Sequence, residues 1–186
     1  MATRRTLLAL RDAMTEGERA AASVAICDAT DALLAARLTP GAIVALYAAK
    51  GSEVDPVQID GFARRHGLVV AYPRVVANDR RLAFHAVTLD ELAPSRFGLR
   101  EPSADAPGIA VADVVAFVVP GLAFDRSGGR IGWGRGHYDA TFTAAAPSAL
   151  RIGLAYECQL VEQVAREPHD VALHIIITEV TTHMVV

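Results

Sequence analysis

The clearest strand in the sequence is Val114-Val-Ala-Phe-Val-Val119, six apolar residues of which four are valine. A continuous apolar run of this length is typical of a strand covered on both faces, as in a parallel sheet flanked by helices. Pro120-Gly121 ends the run, and a glycine-rich segment leads from there into a helix predicted over 138–146. This stretch therefore predicts a strand–loop–helix unit of an α/β protein.

Strands and helices alternate on both sides of that unit. The pattern predicts further strands at 42–47, 68–71, 82–87, 150–155 and 171–177, and helices at 3–13, 15–37, 55–66 and 159–166. Thr15-Glu16-Gly17-Glu18 has the form of a capping box, and Asp55-Pro56 is typical of an N-cap followed by proline at the first helical position. We expect one domain over residues 1–186, a three-layer Rossmann-like α/β fold with a mostly parallel central sheet.

Composition narrows the classes of function. The chain has 186 residues, 52% of them hydrophobic and 21% charged, which indicates a folded globular protein. Its net charge is −3, with 18 basic and 21 acidic residues, whereas a surface that neutralises many phosphates is more basic. We therefore expect no nucleic-acid partner.

The two cysteines and the apolar runs bear on the compartment. Cys27 and Cys158 lack the paired spacing of a disulfide scaffold or a zinc ribbon, which favours a reducing compartment. The apolar stretch near the N-terminus is broken by Arg11 and Asp12, too early for a signal sequence, and the run over 114–124 is about half the length that spans a bilayer. We expect a cytoplasmic protein without a membrane partner, and a monomer rather than an oligomer.

Five glycines fall within the nine residues from Gly128 to Gly136. Glycine lets backbone amides turn toward a ligand without a Cβ in the way, and a loop that leads from a strand into a helix favours an anion. Arg130 and Arg135 add positive charge, and the Asp139 carboxylate could hold Mg²⁺ against bound phosphates. The loop is neither a Walker A loop nor a dinucleotide fingerprint. Phosphate binding is favoured, and the alternative is a loop whose glycines only make turns.

Several blocks can be compared with known families in order and spacing. They are Tyr47 with Gly51-Ser-Glu-Val-Asp55, Tyr72-Pro-Arg-Val75, Gly98-Leu-Arg-Glu-Pro102, Pro120-Gly-Leu-Ala-Phe-Asp125, Arg130-Ile-Gly-x-Gly-x-Gly-His-Tyr-Asp139, Gly153-Leu-Ala-Tyr-Glu-Cys-Gln159, and His169-Asp-Val-x-Leu173 with Thr178-Glu179. Together these blocks resemble the 5-formyltetrahydrofolate cyclo-ligase family, also called methenyltetrahydrofolate synthetases. The resemblance extends over nearly the whole chain and is more specific than any single glycine motif.

The resemblance implies an enzyme, a ligase that uses ATP and Mg²⁺ to convert 5-formyltetrahydrofolate to 5,10-methenyltetrahydrofolate. In this family the formyl oxygen takes the γ-phosphate of ATP, N10 attacks the activated carbon, and phosphate leaves. By motif position, the implied catalytic residues are Arg130 and Arg135. The implied ATP-binding residues are Arg4, Arg5, Arg130, Ile131, Gly132, Trp133, Gly134, Arg135, Gly136, His137 and Tyr138. The implied folate-binding residues are Glu53, Tyr47, Trp133 and His137, and the implied magnesium ligands are Asp139 and Asp170.

Three departures from the family pattern keep other interpretations open. The lysine that the family usually carries near its N-terminus would precede Met1, so we expect either that the start is truncated or that Arg4 and Arg5 share its role. His137 replaces a common aromatic residue and could titrate near neutrality, and His174 replaces a frequent aspartate. The alternative is a non-catalytic folate- or nucleotide-binding protein of the same fold. A third hypothesis is a phosphate-handling enzyme that acts without ATP, such as a sugar-phosphate isomerase.

Overall fold

The computed structural model describes residues 3–185, apart from the side chain of Phe97. Within this range the helices are α1 Arg4–Asp12, α2 Glu16–Arg37, α3 Val57–Arg65 and α4 His137–Phe142. The strands are β1 Ile43–Ala45, β2 Val69–Val75, β3 Leu82–His85, β4 Ala93–Pro94, β5 Arg100–Glu101, β6 Gly108–Ile109, β7 Val114–Val119, β8 Ala123–Phe124, β9 Arg130–Ile131, β10 Leu150–Leu154, β11 Ile175–Ile177 and β12 Thr182–Met184. None of the described helices is long and apolar enough to cross a membrane.

Eight strands form one sheet in the order β12-β11-β10-β7-β1-β2-β3-β6. The five from β11 to β2 run parallel, and β12, β3 and β6 join the two edges antiparallel. β2 and β3 form a hairpin that extends past the predicted strand at 68–71. The predicted α/β fold with a mostly parallel sheet is confirmed.

Side chains of the central strands alternate between two cores. On one face Val44 and Val118 pack against α2 and α3, which contribute Ile26 and Ile59 among other residues. On the other face Phe117 meets Phe142 of α4 edge to face, with 5.5 Å between ring centroids. Both faces are therefore covered, which explains why the strands read as continuous apolar runs. Of the four described helices, α4 is the one that contributes side chains to this second core.

α2 begins where the capping box predicts. The hydroxyl of Thr15 accepts from the amide of Glu18 at 3.2 Å, and the Glu18 carboxylate accepts from the amide of Thr15 at 2.7 Å. At α3 the N-cap is Pro56 rather than Asp55, although the Asp55 carboxylate still accepts from the amide of Val57 at 3.1 Å. The predicted N-cap of α3 was therefore wrong by one residue.

The prediction of a helix over 159–166 is wrong. The structure has a single 3-10 turn at Glu157–Gln159, and the chain that follows is irregular. The amide of Val161 donates to the carbonyl of Phe124 at 2.9 Å, and the amide of Val164 donates to the Asp125 carboxylate at 2.8 Å. Because the loop after β7 takes these amides, they cannot bond within a helix.

Other elements are shorter than predicted: β1 and β3 lack residues of the predicted strands at 42–47 and 82–87, and α4 and the final parallel strand are also shorter. α4 ends at Phe142 instead of 146, and its last residues continue into tight turns before Pro147, a residue that disfavours helix just ahead of it. The final parallel strand begins at Ile175 instead of 171. The amide of Leu173, just ahead of that strand, donates to the carbonyl of Gly128 at 2.9 Å and so is used to hold the glycine loop.

Candidate active site

A cavity of about 1110 Å³ opens at the carboxyl ends of the parallel strands. β1 and β7 are neighbours there, but the chain leaves β1 toward β2 and leaves β7 toward β10, on opposite sides. Diverging connections leave a crevice between two such strands, where open α/β sheets bind their ligands. The segments after β1 and β7 therefore lie on facing sides of one cavity.

The charges that line this cavity favour an anion. Its cationic residues are Arg4, Lys50, Arg80, Arg100, Arg130, Arg135 and Arg166, and its acidic residues are Glu53, Glu101, Asp139, Glu167 and Asp170. Positive charges outnumber negative ones, although the chain as a whole carries −3. A cleft with this excess attracts negatively charged ligands.

The glycines of the loop divide into two groups. Gly132, Gly134 and Gly136 line the cavity, and the last two have φ of +88° and +64°, which favour glycine. Gly128 and Gly129 lie outside the lining: a Cβ at Gly128 would come within 2.5 Å of the carbonyl oxygen of Leu173. The predicted role in phosphate binding therefore narrows to three glycines, and the other two make turns.

Asp125 holds the base of this loop, a role that the sequence analysis did not assign. Its side chain is 2% exposed and accepts from the amides of Ser127 and Gly129, both at 2.9 Å, and from the amide of Val164. Burial raises the pKa of this carboxyl, but the hydrogen bonds from Ser127, Val164 and Gly129 outweigh burial and leave it lowered. The ionised carboxylate therefore fixes the turn that leads into Arg130.

Arg130 and Asp139 form a shielded ion pair. The guanidinium NH2 lies 3.2 Å from the Asp139 carboxylate, and the two side chains are 8% and 15% exposed. The Arg130 guanidinium also lies over the Tyr138 ring, 5.2 Å from its centroid. Its buried Nε has no hydrogen-bond partner among the described residues. A buried N–H without an acceptor is costly, so this donor is available to an oxygen atom of a bound ligand or of water.

Asp139 and Asp170 come from separate segments that meet at the cavity. Asp139 Oδ1 accepts from the amide of Val171 at 3.2 Å, next to Asp170, whose own carboxylate accepts from the amide of Glu167 at 2.7 Å. No group of three or more His, Cys, Asp or Glu among residues 3–185 could hold a metal by itself. Two carboxylates that line one cavity fit Mg²⁺, which usually takes one or two carboxylates plus phosphate oxygens.

Arg4 lies on the glycine loop, and Arg5 does not. The Nε of Arg4 donates to the carbonyl of Gly132 at 3.0 Å, and its guanidinium packs against Gly134. Arg5, also within the described part of the chain, is not among the residues that line the cavity. Arg135 is exposed and lines the cavity.

Glu53 and Tyr47 form the opposite wall. Glu53 is 8% exposed; Oε2 accepts from the amide of Lys50 at 3.0 Å, and Oε1 accepts from the indole of Trp133 over a long 3.4 Å. Burial raises the pKa of the Glu53 carboxyl, partly countered by the Lys50 amide and the charge of Arg11. The Tyr47 hydroxyl is buried and donates to the carbonyl of Val54 at 2.6 Å. Both side chains thus have fixed orientations.

Arg11 is a buried residue of the site that sequence reasoning missed. It is 1% exposed, and its guanidinium donates to Ser52 Oγ at 2.9 Å and to the carbonyl of Gly121 at 3.2 Å. It therefore ties the segment after β1 to the segment after β7. The available signal was spacing, since Arg11 follows Leu7 by four residues and shares the buried face of α1.

The two histidines that depart from the family pattern each contact another segment of the chain. The ring of His137 turns toward the β2–β3 hairpin, where Nδ1 donates to the carbonyl of Arg80 at 2.7 Å, although the residue still lines the cavity. His174 contacts Arg151, whose NH2 lies 2.6 Å from the His174 Nε2. Burial, then the charge of Arg151, lowers the pKa of His174.

The model of the 5-formyltetrahydrofolate cyclo-ligase family matches residues 1–179 of this chain. The chain belongs to that family. The resemblance found in the sequence is therefore confirmed, and the third hypothesis, a phosphate-handling enzyme of another family, is not supported.

Relatives from this family align with parts of the chain. The 5-formyltetrahydrofolate cyclo-ligase of Mycolicibacterium smegmatis is 43% identical over 90 residues, 47% of this chain and 45% of the relative. That of Escherichia coli K12 is 31% identical over 117 residues, 62% of this chain and 63% of the relative. Both alignments span less than two thirds of the relative.

Solved structures extend the likeness over nearly the whole chain. The NMR structure of Aquifex aeolicus 5,10-methenyltetrahydrofolate synthetase has a TM-score of 0.82 at 26% identity, covering 98% of this chain and 90% of that one. A 5,10-methenyltetrahydrofolate synthetase from Mycoplasma pneumoniae shares the fold, with a TM-score of 0.78 at 23% identity, covering 95% and 96%.

Proposed function

We propose that this chain catalyses the ATP-dependent conversion of 5-formyltetrahydrofolate to 5,10-methenyltetrahydrofolate, with release of ADP and phosphate. Family membership supports the reaction, and one observation carries it for this chain. The buried Nε of Arg130 lacks an acceptor in the same cavity that Glu53 lines from the other side. A phosphate oxygen would satisfy that N–H, and the cavity is large enough to bring a phosphate donor and a pterin together.

The glycine loop and Arg4, which donates to it, would neutralise the negative charge of the ATP phosphates. Phosphoryl transfer depends mainly on positioning and on groups that neutralise the phosphate oxygens. We assign this role to Arg130, Arg135 and Arg4, and to the amides of the loop segment that contains Ile131, Trp133, Gly136 and Tyr138. The formyl oxygen forms a bond to the γ-phosphorus while the bond to the ADP oxygen breaks.

Arg130 has a second function in this scheme. Its guanidinium neutralises the Asp139 carboxylate, which lies 3.2 Å away. When nucleotide enters, Arg130 turns to the phosphate, and the Asp139 carboxylate becomes available together with Asp170. These two residues would hold Mg²⁺, which supplies further charge neutralisation at the phosphates.

Glu53 is assigned to the folate. A carboxylate accepts two parallel hydrogen bonds from the amino-pyrimidinone edge of a pterin, a strong and orienting arrangement. The 3.4 Å bond from Trp133 is the weaker of the two that Glu53 now accepts, so the pterin would displace it and leave the indole free to cover the ring. Tyr47 forms the wall beside it, and His137 stands across the cavity. Closure of Trp133 would exclude water from the phosphorylated intermediate.

N10 completes the reaction by attacking the activated formyl carbon. The C–O bond to phosphate then breaks, inorganic phosphate leaves, and the five-membered ring of the methenyl product closes. The oxygen of the formyl group therefore ends in phosphate.

The test is an absorbance assay for the methenyl product with purified protein, 5-formyltetrahydrofolate and MgATP. Product should form only when ATP and Mg²⁺ are both present, and Arg130→Ala should reduce kcat/KM at least 100-fold, the scale of losing one charge-stabilising group in phosphoryl transfer. Asp139→Asn should raise the Mg²⁺ concentration for half-maximal rate. Asp79→Asn, at a partly exposed aspartate outside the cavity lining, is the matched control. Saturable folate binding without product would instead support the non-catalytic alternative.

A further inference from the structure

The tip of the β2–β3 hairpin is attached to the end of the glycine loop. The carbonyl of Arg80 accepts from His137 Nδ1 at 2.7 Å. Two residues on, the amide of Leu82 donates to Thr141 Oγ1 at 2.9 Å, and the same hydroxyl donates to the carbonyl of His137 at 2.7 Å. The hairpin tip therefore has a defined position relative to the residues that line the cavity.

This attachment places the Arg80 side chain against Gly136. A terminal nitrogen of its guanidinium occupies the space that a Cβ at Gly136 would need, and Gly136 has the left-handed φ of +64°. Glycine at 136 thus leaves room for the arginine as well as permitting the turn. Arg80 lines the same cavity as Gly136.

Among the described residues, the side chain of Arg80 has no hydrogen-bond or ion-pair partner, unlike the side chains of other arginines that line the cavity. Arg130 pairs with Asp139, Arg4 donates to Gly132, and Arg166 donates to the carbonyl of Ser127. In the part of the chain that the structure describes, the guanidinium of Arg80 makes no hydrogen bond or ion pair. Its guanidinium, which lines the cavity, therefore keeps N–H donors for a ligand, in a fork that suits an oxyanion.

We propose that Arg80 is a further phosphate-binding residue, which contacts the triphosphate of ATP beside Gly136. The inference rests on the proposed function, since it takes the glycine loop to be the ATP site. The oxyanion in question could also be a carboxylate of the folate glutamate tail, because arginine recognises both groups. The position beside Gly136, in the loop assigned to phosphate, favours the nucleotide.

The experiment compares Arg80→Ala with Arg81→Ala. Arg81 is the adjacent residue, carries the same charge, pairs with Asp79 at 3.3 Å and lies outside the cavity lining. Calorimetry measures the Kd of a non-hydrolysable ATP analogue with Mg²⁺. Steady-state kinetics gives the KM for ATP, for 5-formyltetrahydrofolate with one glutamate and for the same folate with five.

Arg80→Ala should raise both the Kd of the analogue and the KM for ATP about tenfold, the size of one charge-assisted hydrogen bond near solvent. Both folate KM values should stay within about twofold of wild type, as should all values for Arg81→Ala. Arg80→Lys should recover part of the loss, since it keeps the charge but not the fork. Circular dichroism should show unchanged thermal midpoints for all three variants.

An analogue Kd for Arg80→Ala within about twofold of wild type would overturn the inference, as would wild-type protein that does not bind the analogue. A rise only in the KM for the five-glutamate folate would assign Arg80 to the tail and also overturn it. A different result would refute the proposed function and not the role of Arg80: wild-type protein that binds the analogue but forms no methenyl product.

Discussion

Replacing Asp125 by alanine should cost about 2–6 kcal/mol of folding free energy. The carboxylate accepts from three backbone amides, and those of Gly129 and Val164 are buried. A buried donor that loses its acceptor costs about 1–3 kcal/mol, and two of them give the stated range. The amide of Ser127 is exposed enough to turn to water, so it adds little. Typical domains have only about 5–15 kcal/mol in total.

Urea unfolding at neutral pH measures this loss through the midpoint and its slope. Asp79→Ala is the control: Asp79 also accepts from a backbone amide two residues on, that of Arg81 at 2.8 Å, but it is more exposed. The control should lose less than about 1 kcal/mol. If Asp125→Ala unfolds within about 1 kcal/mol of the control, the assignment of Asp125 as the anchor of the loop is wrong.

The pH dependence of the same variant has a defined sign. Because the folded pKa of Asp125 lies below that of an unfolded aspartate, its stabilisation is complete above about pH 4 and is lost as pH falls through the folded pKa. The difference between wild type and Asp125→Ala should therefore shrink in acid.

Three further predictions follow from contacts of single residues. Gly128→Ala should lower the free energy of unfolding, measured in urea, by at least about 2 kcal/mol more than Gly41→Ala does. Both glycines have positive φ, but a Cβ at Gly128 would meet a carbonyl oxygen, whereas no described atom lies within 4 Å of a Cβ at Gly41. Equal losses would rule out the clash. The lowered pKa of His174 means that wild type loses stability as pH falls below about 6.5, because the unfolded chain then binds a proton more readily. His174→Asp should make the thermal midpoint depend less on pH in this range, since an aspartate pairs with Arg151. An unchanged profile from pH 7 to 5 counts against this. Glu53→Gln should raise the Kd for 5-formyltetrahydrofolate about 10-fold or more, while the Kd for the ATP analogue stays constant. The fluorescence of Trp133, the only tryptophan in the sequence, reports the folate titration. An increase in both Kd values would contradict separate subsites.

The sequence predicted the central elements well because local chemistry determines them. The run 114–119 is apolar on both faces and became the middle of the sheet, and the Thr15 capping box forms as its pattern predicts. The prediction failed at 159–166, where the amides of Val161 and Val164 bond to a loop distant in sequence. Periodicity does not contain that information, because the competing acceptors come from another segment.

The site residues also fall into those that the sequence predicted and those that only the tertiary structure reveals. Glu53, Arg130 and Asp139 were chosen by motif position, and all three line the same cavity. Residue type and spacing indicated anion chemistry at Arg130 and Asp139, whereas the family resemblance implied the pterin role of Glu53. Arg11 and Arg80 reach the cavity region only through the packing of α1 and the docking of the β2–β3 hairpin. The spacing of Arg11 from Leu7 indicates that Arg11 is buried. Which groups Arg11 and Arg80 contact depends on tertiary packing, and no local pattern in those segments records it.

The most direct test of the account follows one oxygen atom. 5-Formyltetrahydrofolate labelled with ¹⁸O in the formyl group is incubated with the protein and unlabelled MgATP in ordinary water, and the phosphate released is analysed by mass spectrometry. If the formyl oxygen is phosphorylated in this cavity, each methenyl product yields one phosphate that carries one ¹⁸O. Methenyl product accompanied by unlabelled phosphate would mean that ATP is hydrolysed by water, and it would contradict the proposed reaction.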